Sequence, residues 1–356
     1  MNYVAIFSTI LCCSLVGCNA KNASPPAPEP STVQISNVAS IKLHIVSDKL
    51  RVRDAPNTKA TIITKLSKNQ SVDWSGEVSS NHDEIVLKEI KFKTPWVKIK
   101  TQQQQEGWIY AAAAKSDAVF NPLSEKFIML RSRSFFGMDL ANKIAKYRHD
   151  YFSAKTAQQF SDVYQYGQKL RQNIVTILGK KALLAESNAM DMTWLENMLS
   201  GYQLSFVAEG TEYHLFADFN KMLTRAQKTQ GTEDETFLTL SREIYASDGV
   251  EDFYYVWMEQ TWDYGGDSVL GQGKHLNFLQ RLTIFSNNTP LFKDAITQYT
   301  RALIQDISES KPSEMRRFSE PKNKRAEELA EILKLNSPLL TSQDKVAIEK
   351  HRKTLL

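Results

Sequence analysis

The chain has 356 residues, with 44 Lys and Arg against 40 Asp and Glu, 42% apolar side chains and three cysteines. That length and apolar content provide for two ordinary domain cores and exclude a globally disordered chain. A net charge of +4 with no concentrated basic face argues against a nucleic-acid partner, and the confinement of Cys12, Cys13 and Cys18 to the first 18 residues leaves the body no cysteine for a nucleophile, a zinc site or a disulfide.

Residues 3–17 form one uncharged apolar run, shorter than the ~20 residues of a membrane-spanning helix, and read as the h-region of a signal peptide. The run ends in Leu15-Val16-Gly17-Cys18, which resembles the lipobox of bacterial lipoproteins, although Met1-Asn2-Tyr3 lacks the usual Lys or Arg before it. The resemblance implies cleavage between Gly17 and Cys18, removal of residues 1–17, and a membrane anchor through lipid on Cys18. Several acyl chains, at ~0.8 kcal/mol per buried methylene, hold a protein at a bilayer where one chain exchanges off. Asn19 after the modified cysteine implies, in a two-membrane bacterium, the outer membrane facing the periplasm. Residues 18–40 follow as a tether, with four prolines in Ser24-Pro-Pro-Ala-Pro-Glu-Pro-Ser31 favouring an extended spacer.

Residues 41–115 alternate in the manner of short strands: Ile41-Lys-Leu43-His-Ile45, Leu50-Arg-Val52, Ile62-Ile63, Ser71-Val72-Asp73-Trp74, Ile85-Val86-Leu87, Trp96-Val97-Lys98-Ile99 and Trp108-Ile109-Tyr110. Many short strands without a helical segment predict a small all-β barrel. Leu50-Arg-Val52-Arg53-Asp54-Ala55-Pro56, Ile62-Ile63-Thr-Lys-Leu66-Ser-Lys68, Trp96-Val97-Lys98-Ile99 and Gly107-Trp108-Ile109-Tyr110 resemble, in this order, the motifs of a bacterial SH3 (SH3b) domain. Ala55 departs from the glycine common before that proline, and Gly76–Thr94 is long enough for an extended hairpin. The resemblance implies an SH3-like barrel and contact with cell-wall peptides or an envelope protein. Trp74, Trp96 and Tyr110 are the ligand-groove candidates, because flat aromatic side chains give contact area at low entropic cost. The segment carries 13 basic and 8 acidic side chains, an excess suited to an anionic partner.

From residue 116 the apolar period changes to 3.6 and predicts a mainly α-helical domain over 116–356, outside any family resemblance and without a 34- to 45-residue repeat. Helices are predicted over Met138–Phe152, from a Thr156 cap to Gly179, and over 190–200 and 214–227, with one strand at Tyr202–Val207 between these last two. Thr232-x-x-Glu235 reads as a capping box for a helix to Ala246, and Thr289-Pro290 as the start of a helix over Leu291–Ile307; two more fit 321–335 and 342–354.

Between Thr232 and Asp267 stand ten carboxylates and one base, Arg242, among aromatics that include Phe253, Tyr254, Tyr255, Trp257, Trp262 and Tyr264. On a helix, Asp248, Asp252, Glu259 and Asp263 fall within ~60° of one another, so this stretch is predicted as an amphipathic helix with an acidic face, a candidate docking surface for a basic partner. A cation there lacks the ligand order of an EF-hand, and no metal or cofactor is expected. Gly-x-Ser-x-Gly, His-Glu-x-x-His, P-loop and dinucleotide-binding patterns are missing from the sequence. Glu209-x-x-Glu212-x-His214-x-x-x-Asp218 is the one acidic and histidine grouping, with His214 and Asp218 on one face if a helix begins at 214. No residue is assigned a catalytic role. The expectation is an envelope-anchored lipoprotein with an SH3b domain for wall or protein contact and a helical domain for a protein partner. Two other classes stay open: a wall hydrolase using Glu209, Glu212 or Glu259 as acid and base, and a periplasmic immunity or inhibitor lipoprotein.

Overall fold

A computed structural model describes residues 40–87, 90–117, 119–182, 192–207, 212–245, 248–261, 265–309 and 320–356. Gly17, Cys18, the signal segment and the tether up to residue 39 lie outside the described residues, as do Glu209 and Asp263.

Seven strands open the fold: β1 Ile41–Ile45, β2 Leu50–Arg53, β3 Ile62–Leu66, β4 Ser71–Leu87, β5 Ile90–Lys100, β6 Glu106–Tyr110 and β7 Ala114–Ser116. They make one sheet in the order β3-β2-β6-β5-β4-β1-β7. The long β4–β5 ladder slips register between Trp74 and Val78 and again between Val78 and His82, and Gly76 sits in the first irregularity with φ of 96°. Such bulges bend a strand, and here they curl the sheet into a half-barrel. The predicted closed barrel is therefore corrected to a partly closed one. Its concave side buries Leu43, Val52, Val72, Trp74, Val97, Ile99 and Ile109, and the space that further closure would fill is taken by Phe127 from the first helix, whose ring meets Trp74 edge-on at 5.3 Å.

That helix, α1 (Pro122–Phe136), begins where Asn121 accepts the Ser124 N–H and Pro122 occupies the first turn. Lys126 donates to the Gly76 carbonyl at 2.5 Å and Arg131 to the Ala114 carbonyl, so α1 is bonded to the sheet at two points. α2 (Met138–Ser153) and α3 (Ala157–Ala182) follow, the latter capped by Thr156, whose hydroxyl accepts the Gln159 N–H. The helix predicted for 190–200 is, over its described part, a single 3-10 turn at Thr193–Leu195. The predicted 214–227 helix is corrected as well: β8 (Tyr202–Val207) and β9 (Glu212–Ala217) form a hairpin, and α4 begins at Phe219 and ends at Ala226. α5 (Glu233–Ile244) has the predicted position without the predicted cap, since the Thr232 side chain makes no capping bond and the Glu233 carboxylate accepts the Thr232 N–H instead.

β10 (Met258–Gln260) pairs with β11 (Gly266–Ser268), and α6 (Lys274–Asn288), α7 (Lys293–Glu309), α8 (Lys322–Lys334) and α9 (Ser342–Leu355) complete the chain. Thr341 and Asp344 form a reciprocal capping box on α9. The helical region is filled by aromatic residues, among them Phe237 stacked on Phe292 at 4.0 Å and set edge-on to Tyr164 at 5.1 Å. Each such side chain contributes ~1.5–3 kcal/mol by leaving water.

The half-barrel and the helices share a boundary that is itself core. Along β5 and β6 the residues that do not face the barrel interior, Phe92, Trp96 and Tyr110, are buried in the helical core, so these strands are covered on both sides. Trp108 pairs with Lys98 and packs on that other side, because Ile109 opposite Val97 takes the inner position.

Candidate functional site

Trp74, Trp96 and Tyr110 do not line a groove: all three are buried. Trp74 fills the half-barrel. Trp96 donates its indole N–H to Asp83 Oδ2 at 2.9 Å, and the Tyr110 hydroxyl accepts the Thr94 N–H at 3.1 Å while lying 2.8 Å from the Asp83 carbonyl. Burial pushes the Tyr110 phenol above its ordinary pKa. Large aromatic side chains are among the first that a core takes up.

What the β region offers solvent is different. β3 ends the sheet, with Ile62 and Ile63 exposed at 42% and 40%. Register places Arg51 of β2 directly across from Lys65 of β3, both exposed, and among the described residues neither has an ion-pair partner. Like charges in that relation repel. Residues 48–68 hold six Lys and Arg against Asp48 and Asp54, so an anion set between Arg51 and Lys65 relieves a repulsion the fold leaves in place. Arg53 is not part of this surface, because it is buried with its guanidinium on the Ala60 carbonyl at 2.5 Å.

The acidic segment departs from the helix expected of it. Asp248 (φ 45°) and Gly249 (φ 79°) make a tight turn, Val250 bridges Asp218, and Tyr255 bridges Tyr245. Trp257 is fully buried with Tyr255 stacked on it at 4.7 Å. With no helix, Asp248, Asp252 and Glu259 share no helical face: Asp248 and Glu259 are exposed in the turn and on β10, while Asp252 is half-buried and accepts the Phe253 N–H. Glu251 points inward instead. Its carboxylate pairs with Arg171 of α3 through both oxygens and accepts the Ala217 N–H at 2.9 Å. His214 lies on β9 with Nε2 3.3 Å from Glu212, and Asp218 caps α4 through the Lys221 N–H.

One grouping escaped sequence reasoning. Ser268, His275, Asp306 and Glu328 converge from β11, α6, α7 and α8. Their order does not suit a nucleophile relay, in which the acid must hold the ring nitrogen remote from the serine. Here Asp306 Oδ2 lies 2.6 Å from His275 Nε2, the same atom that stands 3.4 Å from Ser268 Oγ, and Nδ1 faces Glu328 Oε1 at 3.9 Å. Glu328 also accepts the Gly271, Gly273 and Leu276 N–H groups, capping α6 from another helix. Nothing in the spacing of four residues over sixty positions could have announced this. Among the described residues no three His, Cys, Asp or Glu side chains are grouped as a metal site requires.

In comparison with known families, the bacterial SH3 domain model matches residues 48–114, and that region is an SH3b domain. No curated protein and no solved structure shows significant similarity to the chain.

Proposed function

We propose that this protein is an envelope lipoprotein, held by lipid on Cys18 at the periplasmic face of the outer membrane, whose SH3b domain contacts peptidoglycan and whose helical region binds a protein partner. The observation that carries the wall contact is the unneutralised Arg51–Lys65 pair on the edge of the domain, beside exposed Ile62 and Ile63. SH3b domains commonly bind cell-wall material, and peptidoglycan stem peptides present carboxylates that suit two adjacent cations. A lipid anchor and a wall contact on one chain raise each other's effective concentration, so a weak contact suffices.

The test is co-sedimentation of the whole chain with purified peptidoglycan, because Trp96 and Tyr110 share a core with the helices and an excised 41–115 fragment would lose it. Wild type should pellet, and Arg51→Glu with Lys65→Glu should stay in solution with an unchanged melting temperature. Failure of wild type to pellet, or equal pelleting of the variant, rejects the wall contact. Cys18→Ser should release the protein from membranes, and unchanged retention rejects the anchor.

A further inference from the structure

The β8–β9 hairpin has one face turned from α3. Register sets Gln203 across from Phe216, Ser205 from His214 and Val207 from Glu212, so these six side chains share a face. Three rings gather on it. His214 and Phe216 lie nearly parallel with centroids 5.6 Å apart, and Phe253 stands across both at 5.0 and 5.2 Å, its plane at 84° to each. Phe253 is 52% exposed, whereas Phe219, Phe237 and Trp257 nearby in sequence are fully buried.

Carboxylates stand beside the rings. Glu212 is 62% exposed next to His214, and Asp252 holds the Phe253 backbone N–H at 2.6 Å. The six paired positions contain no Lys or Arg, and from Glu243 to Gly273 the sequence has seven carboxylates and no Lys or Arg. The face of an aromatic ring attracts ammonium and guanidinium groups, and adjacent carboxylates add to that attraction. The same charges repel an anionic lipid surface.

We propose that this face docks a basic peptide segment of a partner protein, with Arg or Lys side chains laid on Phe253 and Phe216 and paired with Glu212 and Asp252. The proposal rests on the reading of the helical region as a partner-binding module and supplies the chemistry of its partner.

The test is fluorescence anisotropy of a short labelled peptide of alternating arginine and serine, titrated with the whole chain. Phe253→Ala should weaken binding at least about tenfold, the loss of one such contact. Glu212→Gln should weaken it severalfold at the wild-type melting temperature, since its side chain is largely in water, and Phe253→Ala should remain folded by circular dichroism. Glu235→Gln on α5 should bind as wild type. No binding, wild-type binding by Phe253→Ala, or equal weakening by Glu235→Gln overturns the proposal. Self-association that Phe253→Ala abolishes also overturns it, by making a second copy the occupant. A partner crosslinked in envelopes equally well by Phe253→Ala rejects this face and leaves partner binding standing, whereas failure to crosslink any partner rejects the wider reading.

Discussion

Glu251→Ala should destabilise the protein by about 3 kcal/mol. The Glu251 side chain is 13% exposed and its partner Arg171 19%. One carboxylate satisfies two guanidinium nitrogens, Nη2 at 2.8 Å, and the Ala217 N–H. Burial alone would lower the Arg171 pKa, but the charge and hydrogen bonds of Glu251 outweigh it, so the guanidinium is held charged beside Tyr202 and Tyr164. Removing the carboxylate therefore leaves a charge in an aromatic pocket and an orphaned backbone donor. Breaking a buried pair from one side costs ~3–5 kcal/mol, and the remaining exposure places this case at the lower end. In a chain of this size each kcal/mol moves Tm by roughly 2 °C, which gives a fall of about 6 °C in a thermal melt followed by circular dichroism. Arg171→Met with Glu251→Leu removes both charges and should restore most of that loss. A single-variant loss below ~1 kcal/mol, or a double variant no better than the single, would refute the argument.

Gly107→Ala should cost about 1–3 kcal/mol, because the added Cβ would meet Val52 Cγ1 at 2.5 Å and the Arg53 carbonyl at 2.9 Å, and the carbonyl yields only if β2 moves; a urea melt within ~0.5 kcal/mol of wild type would contradict it. Alkaline pH should unfold the protein in a single step. Burial raises the phenol pKa of Tyr147, Tyr164, Tyr202, Tyr245 and Tyr299. Above pH ~10 the unfolded chain gives up phenolic protons that the folded chain retains, so stability holds below that pH and falls as pH rises beyond it. Phenolate absorbance from these residues should rise with the loss of circular dichroism, and ionisation in the folded state would show the pocket to be wet.

The SH3b strands were legible because their pattern is local: alternation, one proline turn and four motifs in order, borne out by the family match to 48–114. Helices with a single apolar stripe, such as α2, α3, α8 and α9, were legible for the same reason, and α3 and α9 carry side-chain caps besides. The segment from Asp248 to Gln260 was misread because Phe253-Tyr-Tyr-Val-Trp-Met can be indexed on 3.6 as readily as on 2. Its aromatic and β-branched content pointed to extended chain, and two successive positive-φ residues decided the matter. β9 was hidden behind His214 and Asp218, whose i, i+4 spacing suits one face of a helix and one face of a strand equally. The candidate groove failed for another reason: composition cannot say that a strand is covered on both sides. Arg171–Glu251 and His275–Asp306 join residues 80 and 31 positions apart, and such pairs become visible only when the chain has been packed.

Phe127 sets an order on how the molecule comes into being. The interior of the β region is completed by a side chain about a dozen residues downstream of the last strand, and by a helix that ends at Phe136. A chain leaving a ribosome or a translocation pore N-terminus first exposes all seven strands before it can supply that ring. Until α1 has emerged, the sheet has an open hydrophobic face and Trp74 stands uncovered. The interior of the β region is thus complete only once its successor in the chain has arrived, and that arrival times its maturation.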